Sequence, residues 1–190
     1  MTLSPILKKL LFVRQFSMDE GKIDLLGTRE IMLNASAILE LQEIDESKFY
    51  NIAKKSTFKN ITGFVEHAKV YDRMKDVFMA EIANLGKKIG QTDEGVIRVL
   101  QDIFNVYGLG EMSIDNIDNA QREALIIVRG SAIADEWINK HKKHSKTQVC
   151  TLTAGVLAGI FSYIFGKEVD CVEVHCTAQG KNYCLFKAAY

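Results

Sequence analysis

All four cysteines of this 190-residue chain lie in its last quarter, at Cys150, Cys171, Cys176 and Cys184, with Glu173 and His175 among them. Three of them and the glutamate (Cys150, Glu173, Cys176, Cys184) read C-x22-E-x2-C-x7-C. Soft thiolates gathered in an otherwise cysteine-free chain point to a bound metal, with zinc the first candidate and iron the competitor. Such a clasp forces the start of one late helix against one late hairpin, whatever the rest of the chain does. The spacing leaves three other readings open. The cysteines can be small buried residues with Glu173 solvated, Cys176 and Cys184 can form a disulfide, or His175 can replace Glu173 as the fourth ligand.

Composition narrows the class. The 24 basic and 24 acidic residues cancel, which removes the electrostatic footprint of a dedicated nucleic-acid binder. Hydrophobic residues make up 47% of the chain, enough for a real core. The longest apolar run, Ala154 to Phe165, falls short of the roughly 20 residues that span a bilayer. Met1 to Phe16 carries charges inside its apolar stretch and no small-residue cleavage site, so no signal peptide is read. The expectation is a soluble, cytoplasmic protein, in which clustered cysteines favour metal over disulfides.

Periodicity and capping signals predict the elements. Ser4 and Pro5 open a short helix to Leu11. Phe12 to Phe16 and Lys22 to Leu26 form a hairpin turning at Asp19-Glu20-Gly21, and Arg29 to Leu41 is a helix. Asp45 or Ser47 caps another from Lys48, and a longer helix runs from Lys59 to Lys87 with an apolar stripe that serves as a buried face or a dimer seam. Thr92 caps a helix to Val106. Strands are expected at Glu111 to Ile117 and Glu123 to Val128, helices at Ser131 to Lys140 and Thr147 to Phe165, and a final hairpin at Val169 to Val174 and Tyr183 to Lys187. The order β-β-α-α-β-β predicts an α+β fold: a four-stranded antiparallel sheet packed with helices, plus an N-terminal helical arm with a small hairpin. The division falls at 1–88 for the arm, serving in dimerisation or as a pocket lid, and 89–190 for the sheet domain. Ala154, Gly155, Ala158, Gly159 and Ser162 give the last helix a small face, expected to lie close against the sheet.

Cys150 is predicted in the first turn of that helix, where the dipole favours thiolate. Glu173 and Cys176 are an odd number apart, so the strand must bulge or end between them for both to face one point. Three thiolates and a carboxylate leave a divalent site formally at minus two. Amide donors, with Lys181 or Lys187, are expected to compensate. Four protein ligands leave no open position, which marks a structural rather than a catalytic site. Cys171 is left over as a buried apolar residue.

The segment CTLTAGVLAGIFSYIFGKEVDCVEVHCTAQGKNYCLF, from Cys150, resembles the 4-vinyl reductase domain family. The resemblance rests on Ala154, Gly155 and Gly159, then on E-x2-C-x3-G-x3-C-x-F at Glu173, Cys176, Gly180, Cys184 and Phe186. Gly130, Ser131 and Ala134 also look like the family. Upstream, Gly21, Ile23, Leu25, Gly27 and Arg29 resemble the arm of the aromatic-sensing bacterial activators that carry this domain. The match is specific over about residues 108–190 and looser before them. It implies zinc held by Cys150, Glu173, Cys176 and Cys184, a small apolar ligand, and a homodimer. It also implies a fold shared with a vesicle-tethering subunit that holds an acyl chain. The sensors read phenols with a histidine and a tryptophan. Here only His67 lies in the central helices, and Trp137 falls in a later one.

Candidate pocket residues are Phe64, Tyr71, Phe78, Phe104, Tyr107 and Trp137, aromatic groups facing the predicted sheet; plain core is their other reading. His141 and His144 could chelate a metal, or form a solvated basic helix end. No nucleophile–base–orienter set is legible, so the reading leans away from an enzyme. The expected function is zinc-stabilised binding or sensing of a small hydrophobic molecule. The alternatives are a non-catalytic subunit of a tetrapyrrole vinyl reductase and a structural scaffold. Neither nucleic acid nor a membrane span is expected.

Overall fold

Three short strands come first. In the computed structural model, which describes residues 16–19, 21–25, 28–70 and 94–190, β1 (Phe16–Asp19), β2 (Lys22–Leu25) and β3 (Thr28–Glu30) pair antiparallel in that order. The expected hairpin is thus a three-stranded meander, and Thr28–Glu30 is strand where a helix was expected from Arg29. The first turn uses Gly21 at φ 74°, a left-handed conformation open to glycine. The Ser4 helix, the Gly86–Gln91 boundary and most of the long stripe lie outside the described residues; of the stripe, Ile61 is buried.

Helix α1 (Ala35–Ile44) begins where the Asn34 side chain accepts the Ala37 N–H at 2.9 Å. Asp45 then breaks the helix and caps the next by accepting the Lys48 N–H at 2.9 Å. That next helix, α2 (Glu46–Val70), is continuous through Lys59, so the two helices expected here are one. Helix α3 (Glu94–Val106) follows.

The C-terminal part of the chain builds the sheet. Strands β4 (Glu111–Asp118) and β5 (Glu123–Arg129) form a hairpin, and β6 (Asp170–His175) and β7 (Cys184–Ala189) form another. Helix α4 (Ala132–His141), capped by Ser131, and helix α5 (Thr151–Phe165) connect them. All pairs are antiparallel and the order is β4-β5-β7-β6, as the β-β-α-α-β-β reading predicted. Period-two alternation turns Ala124, Ile126 and Val128 of β5 and Cys184, Phe186 and Ala188 of β7 into the core.

Helix α5 is buried on nearly every side because it lies between the sheet and α2. Its small face meets α2 rather than the sheet, a correction to the sequence expectation. A Cβ on Gly155 would sit 2.6 Å from the Tyr50 carbonyl oxygen, and one on Gly159 would sit 2.7 Å from that of Lys54. Hydrogen is the only substituent that lets the two backbones approach so closely. The contact continues to β6: Lys54 Nζ reaches Asp170 at 2.7 Å and Glu168 at 3.1 Å, and the Tyr50 hydroxyl donates to Asp170 and accepts from the Cys171 N–H.

Candidate metal centre and adjoining cavity

Cys150 stands at the N-cap of α5, one residue before its first turn. Glu173 projects from β6, whose register shifts between Glu173 and His175 and which ends there. That irregularity is the bulge required for Glu173 and Cys176 to face one point. Cys176 then opens a single 3-10 turn, Thr177–Gln179, closed by Gly180 at φ 84°, and Cys184 begins β7.

The three sulfurs come together. Cys150 Sγ lies 3.6 Å from Cys176 Sγ and 3.9 Å from Cys184 Sγ, and the latter two are 3.6 Å apart. A carboxylate oxygen of Glu173 completes a set whose ligand atoms all lie within 4.8 Å of one another. Thiolates about 2.3 Å from a tetrahedral centre stand roughly 3.8 Å from each other, so the spacing fits a metal. It is far too long for disulfide bonds, and all four cysteines are free.

The carboxylate is divided between two tasks. Glu173 Oε2 accepts the N–H groups of Val149 at 3.1 Å and Cys150 at 2.9 Å, while Oε1 is buried without a hydrogen-bond partner. A buried carboxylate oxygen left unpaired is costly unless a cation or proton takes it. Burial, partly opposed by the Cys150 N–H, holds this acid up at about 7.

The thiols show the same frustration. Hydrogen bonds from Cys176 and Cys184, then burial, push the Cys150 thiol well up, contrary to the helix-dipole expectation. Cys184 is driven down because it accepts from Cys150, Cys176 and Thr177, so it carries the charge of the trio. Four acids this close cannot all ionise without a cation; a divalent ion would replace their protons.

Donors around the sulfurs are hydroxyls and backbone amides rather than lysines. The Ser131 hydroxyl lies 3.3 Å from Cys150 Sγ, the Thr177 N–H and hydroxyl each 3.4 Å from Cys184 Sγ, and the Ala178 N–H 3.4 Å from Cys176 Sγ. Lys187 instead pairs with Glu123 at 3.0 Å. Gln42 of α1, 1% exposed, clamps the entry to α5: its amide donates to the Val149 carbonyl at 2.6 Å and accepts the Leu152 N–H at 2.9 Å. Sequence reading missed Gln42; a polar residue three positions after buried Leu39 was the available signal.

The competing ligands fall elsewhere. His175 turns Nδ1 to the Tyr183 carbonyl at 3.1 Å, with its ring against Tyr183. Cys171 is buried apart from the trio, and burial pushes its thiol up, which leaves it inert. His141 faces Glu43 at 3.4 Å and His144 lies beside Gly180, so these two do not converge.

A cavity of about 420 Å³ opens among β3, α1, α2, α3 and α5. Its apolar wall includes Ile38, Ile52, Ile61, Phe104, Leu152 and Ile160; Glu30, Ser56, Thr57, Asn60 and Tyr107 supply polar groups. Of the expected pocket residues, Phe104 and Tyr107 line it. Trp137 does not: it packs on α4 with its ring 4.4 Å from that of His141. The Phe64 side chain, Tyr71 and Phe78 lie outside the described residues. Leu152 and Val156, on the first turns of α5, bring this cavity within one or two helical turns of Cys150. No described helix is long and apolar enough to cross a membrane.

Comparison with known proteins follows the same lines. An uncharacterized protein of Methanocaldococcus jannaschii is 25% identical over 120 residues, 62% of this chain and 71% of that one. Among solved structures, the phenol-responsive sensory domain of the transcription activator PoxR aligns with a TM-score of 0.67 at 17% identity, over 98% of this chain and 90% of that one. A vinyl-4-reductase family protein from Methanocaldococcus jannaschii aligns at 0.45 and 18% identity, over 81% of this chain and 74% of its own. The fold over nearly the whole chain is therefore that of the sensory domain. Residues 132–189, which carry Glu173, Cys176 and Cys184, match the 4-vinyl reductase domain, and over that span the chain belongs to the 4-vinyl reductase domain family.

Proposed function

We propose that this protein is a zinc-stabilised module that binds and senses a small hydrophobic molecule. The observation that carries the proposal is the shared helix. Cys150 caps α5, and Leu152, Val156 and Ile160 of the same helix wall the apolar cavity. Cys150, Glu173, Cys176 and Cys184 are the assigned ligands, with zinc favoured by three thiolates and a carboxylate at tetrahedral spacing. The metal fixes one end of α5 against the β6–β7 hairpin, and the bound molecule sits beside the next turns. The structural likeness to a phenol-responsive sensory domain supports sensing over catalysis.

The cavity residues of this reading are Phe104 and Tyr107 together with the α2 and α5 side chains opposite them. A homodimer belongs to the same proposal, supported by the exposed Ile31 and Met32, 80% and 76% accessible, after β3. A cytoplasmic setting accords with four unpaired thiols.

Native mass spectrometry of protein made in zinc-replete cells tests the proposal in one measurement. The expected spectrum shows one zinc per chain, a dimer mass, and loss of the metal with a chelator accompanied by a fall in Tm. A metal-free chain of unchanged Tm defeats the zinc assignment.

A further inference from the structure

The cavity that the proposed function rests on carries a charge pattern of its own. Among its described lining residues Glu30 is the one charged side chain; no lysine, arginine or histidine faces the space. Glu30 ends β3 at the rim, and Tyr107, just beyond α3, engages its carboxylate. The remaining polar groups, Ser56, Thr57 and Asn60 on α2, are neutral. A carboxylate has two oxygens and about four lone-pair sites, so the tyrosine hydroxyl does not exhaust its capacity to accept.

From this arrangement we propose that the cavity selects a small apolar molecule ending in a hydrogen-bond donor, a protonated amine above all, and rejects the carboxylate of the same skeleton. The reason is electrostatic. A ligand acid would bring a second negative charge beside Glu30 in a space walled by isoleucine, leucine and phenylalanine, with no cation among the described lining residues to receive it. An ammonium or hydroxyl group would instead donate to Glu30, and the ammonium bond is charge-assisted. Charge sign at the rim thus sets the ligand class, while the apolar wall sets its size.

The test uses the full chain and four probes of one skeleton: 1-naphthylmethylamine, 1-naphthylmethanol, 1-naphthoate and 1-methylnaphthalene, titrated at neutral pH by calorimetry or probe fluorescence. The expected order places the amine at least about tenfold tighter than the acid, with the alcohol between. Glu30→Gln is expected to bring amine and acid within about threefold of each other and to leave methylnaphthalene affinity unchanged. The wild-type order alone decides the matter should the variant fail to fold. An acid that binds as tightly as the amine, or a gap that survives Glu30→Gln, overturns the inference and leaves the cavity standing through methylnaphthalene. Failure of all four probes overturns the cavity reading itself, and this inference with it.

Discussion

Glu173 holds the Cys150 backbone with one carboxylate oxygen and leaves the other buried and unpaired. The same residue therefore fixes the position of its neighbouring ligand and offers a ligand atom of its own. Two substitutions separate these tasks. Glu173→Gln keeps an acceptor for the Val149 and Cys150 N–H groups but replaces the free oxygen with an amide. It is expected to lower metal affinity by at least about 100-fold, with the apo-protein Tm little changed. Glu173→Ala strips both N–H groups of their acceptor and should cost a further 1–3 kcal/mol or so of apo stability. Chelator competition and thermal melts of both variants decide the matter; equal metal affinity in wild type and Glu173→Gln would remove Glu173 from the ligand set.

Close approach of α5 to α2 makes a second prediction. Gly159→Ala would press a methyl carbon to 2.7 Å from the Lys54 carbonyl oxygen and 2.8 Å from Thr57 Cβ. Backbone cannot yield as a flexible side chain does, so the helices must part, at a cost of about 1–3 kcal/mol. Urea denaturation should show a lower midpoint at unchanged slope. A variant as stable as the wild type would mean that the helices separate freely.

Filling the cavity should uncouple ligand from metal. Val156→Phe places a ring into the space walled by Ile52 and Phe104. Loss of methylnaphthalene binding is expected, with one metal per chain retained and Tm held or raised, because the ring replaces empty volume. Unchanged probe affinity would place the binding site elsewhere.

Acid should loosen the junction of α2 and β6. The hydrogen bond from Lys54, aided by that from Tyr50, holds Asp170 below the ordinary carboxylate range despite partial burial. A carboxyl depressed in the folded state stabilises fully above its unfolded pKa of about 3.9 and stops doing so as pH falls through the lower folded value. The Tm difference between wild type and Asp170→Asn should be widest at neutral pH and should close between about pH 4 and pH 2. A difference that grows on acidification would reverse the assigned sign.

Much of the sheet domain was legible in the residues because local signals there agree. Alternation marks β5, Ser131 caps α4, and the odd spacing of Glu173 and Cys176 already demanded the bulge that β6 contains. Less could be read upstream. Thr28–Glu30 pairs with β2, and its strand is decided by that neighbour rather than by the chain's own periodicity, which reads as helix. The partner of the α5 glycines was equally hidden: Gly155 and Gly159 declare a close approach, but nothing local says whether helix or sheet arrives. Gln42 escaped notice because its two hydrogen bonds reach across more than a hundred residues. The offsetting donors at the sulfurs are backbone and hydroxyl groups, which a search for lysines overlooks.

The strand order β4-β5-β7-β6 has a bearing on biosynthesis. β7 is made after β6 yet lies between β5 and β6, so it is the strand that joins the two halves of the sheet. On the ribosome, β4 and β5 can close their hairpin early, while β6 must wait without a neighbour until residues 184–189 emerge. Cys184 arrives in the same stretch, so cation capture belongs to the final moments of maturation. A nascent chain arrested ahead of that point would show a chaperone an open edge and two waiting thiols.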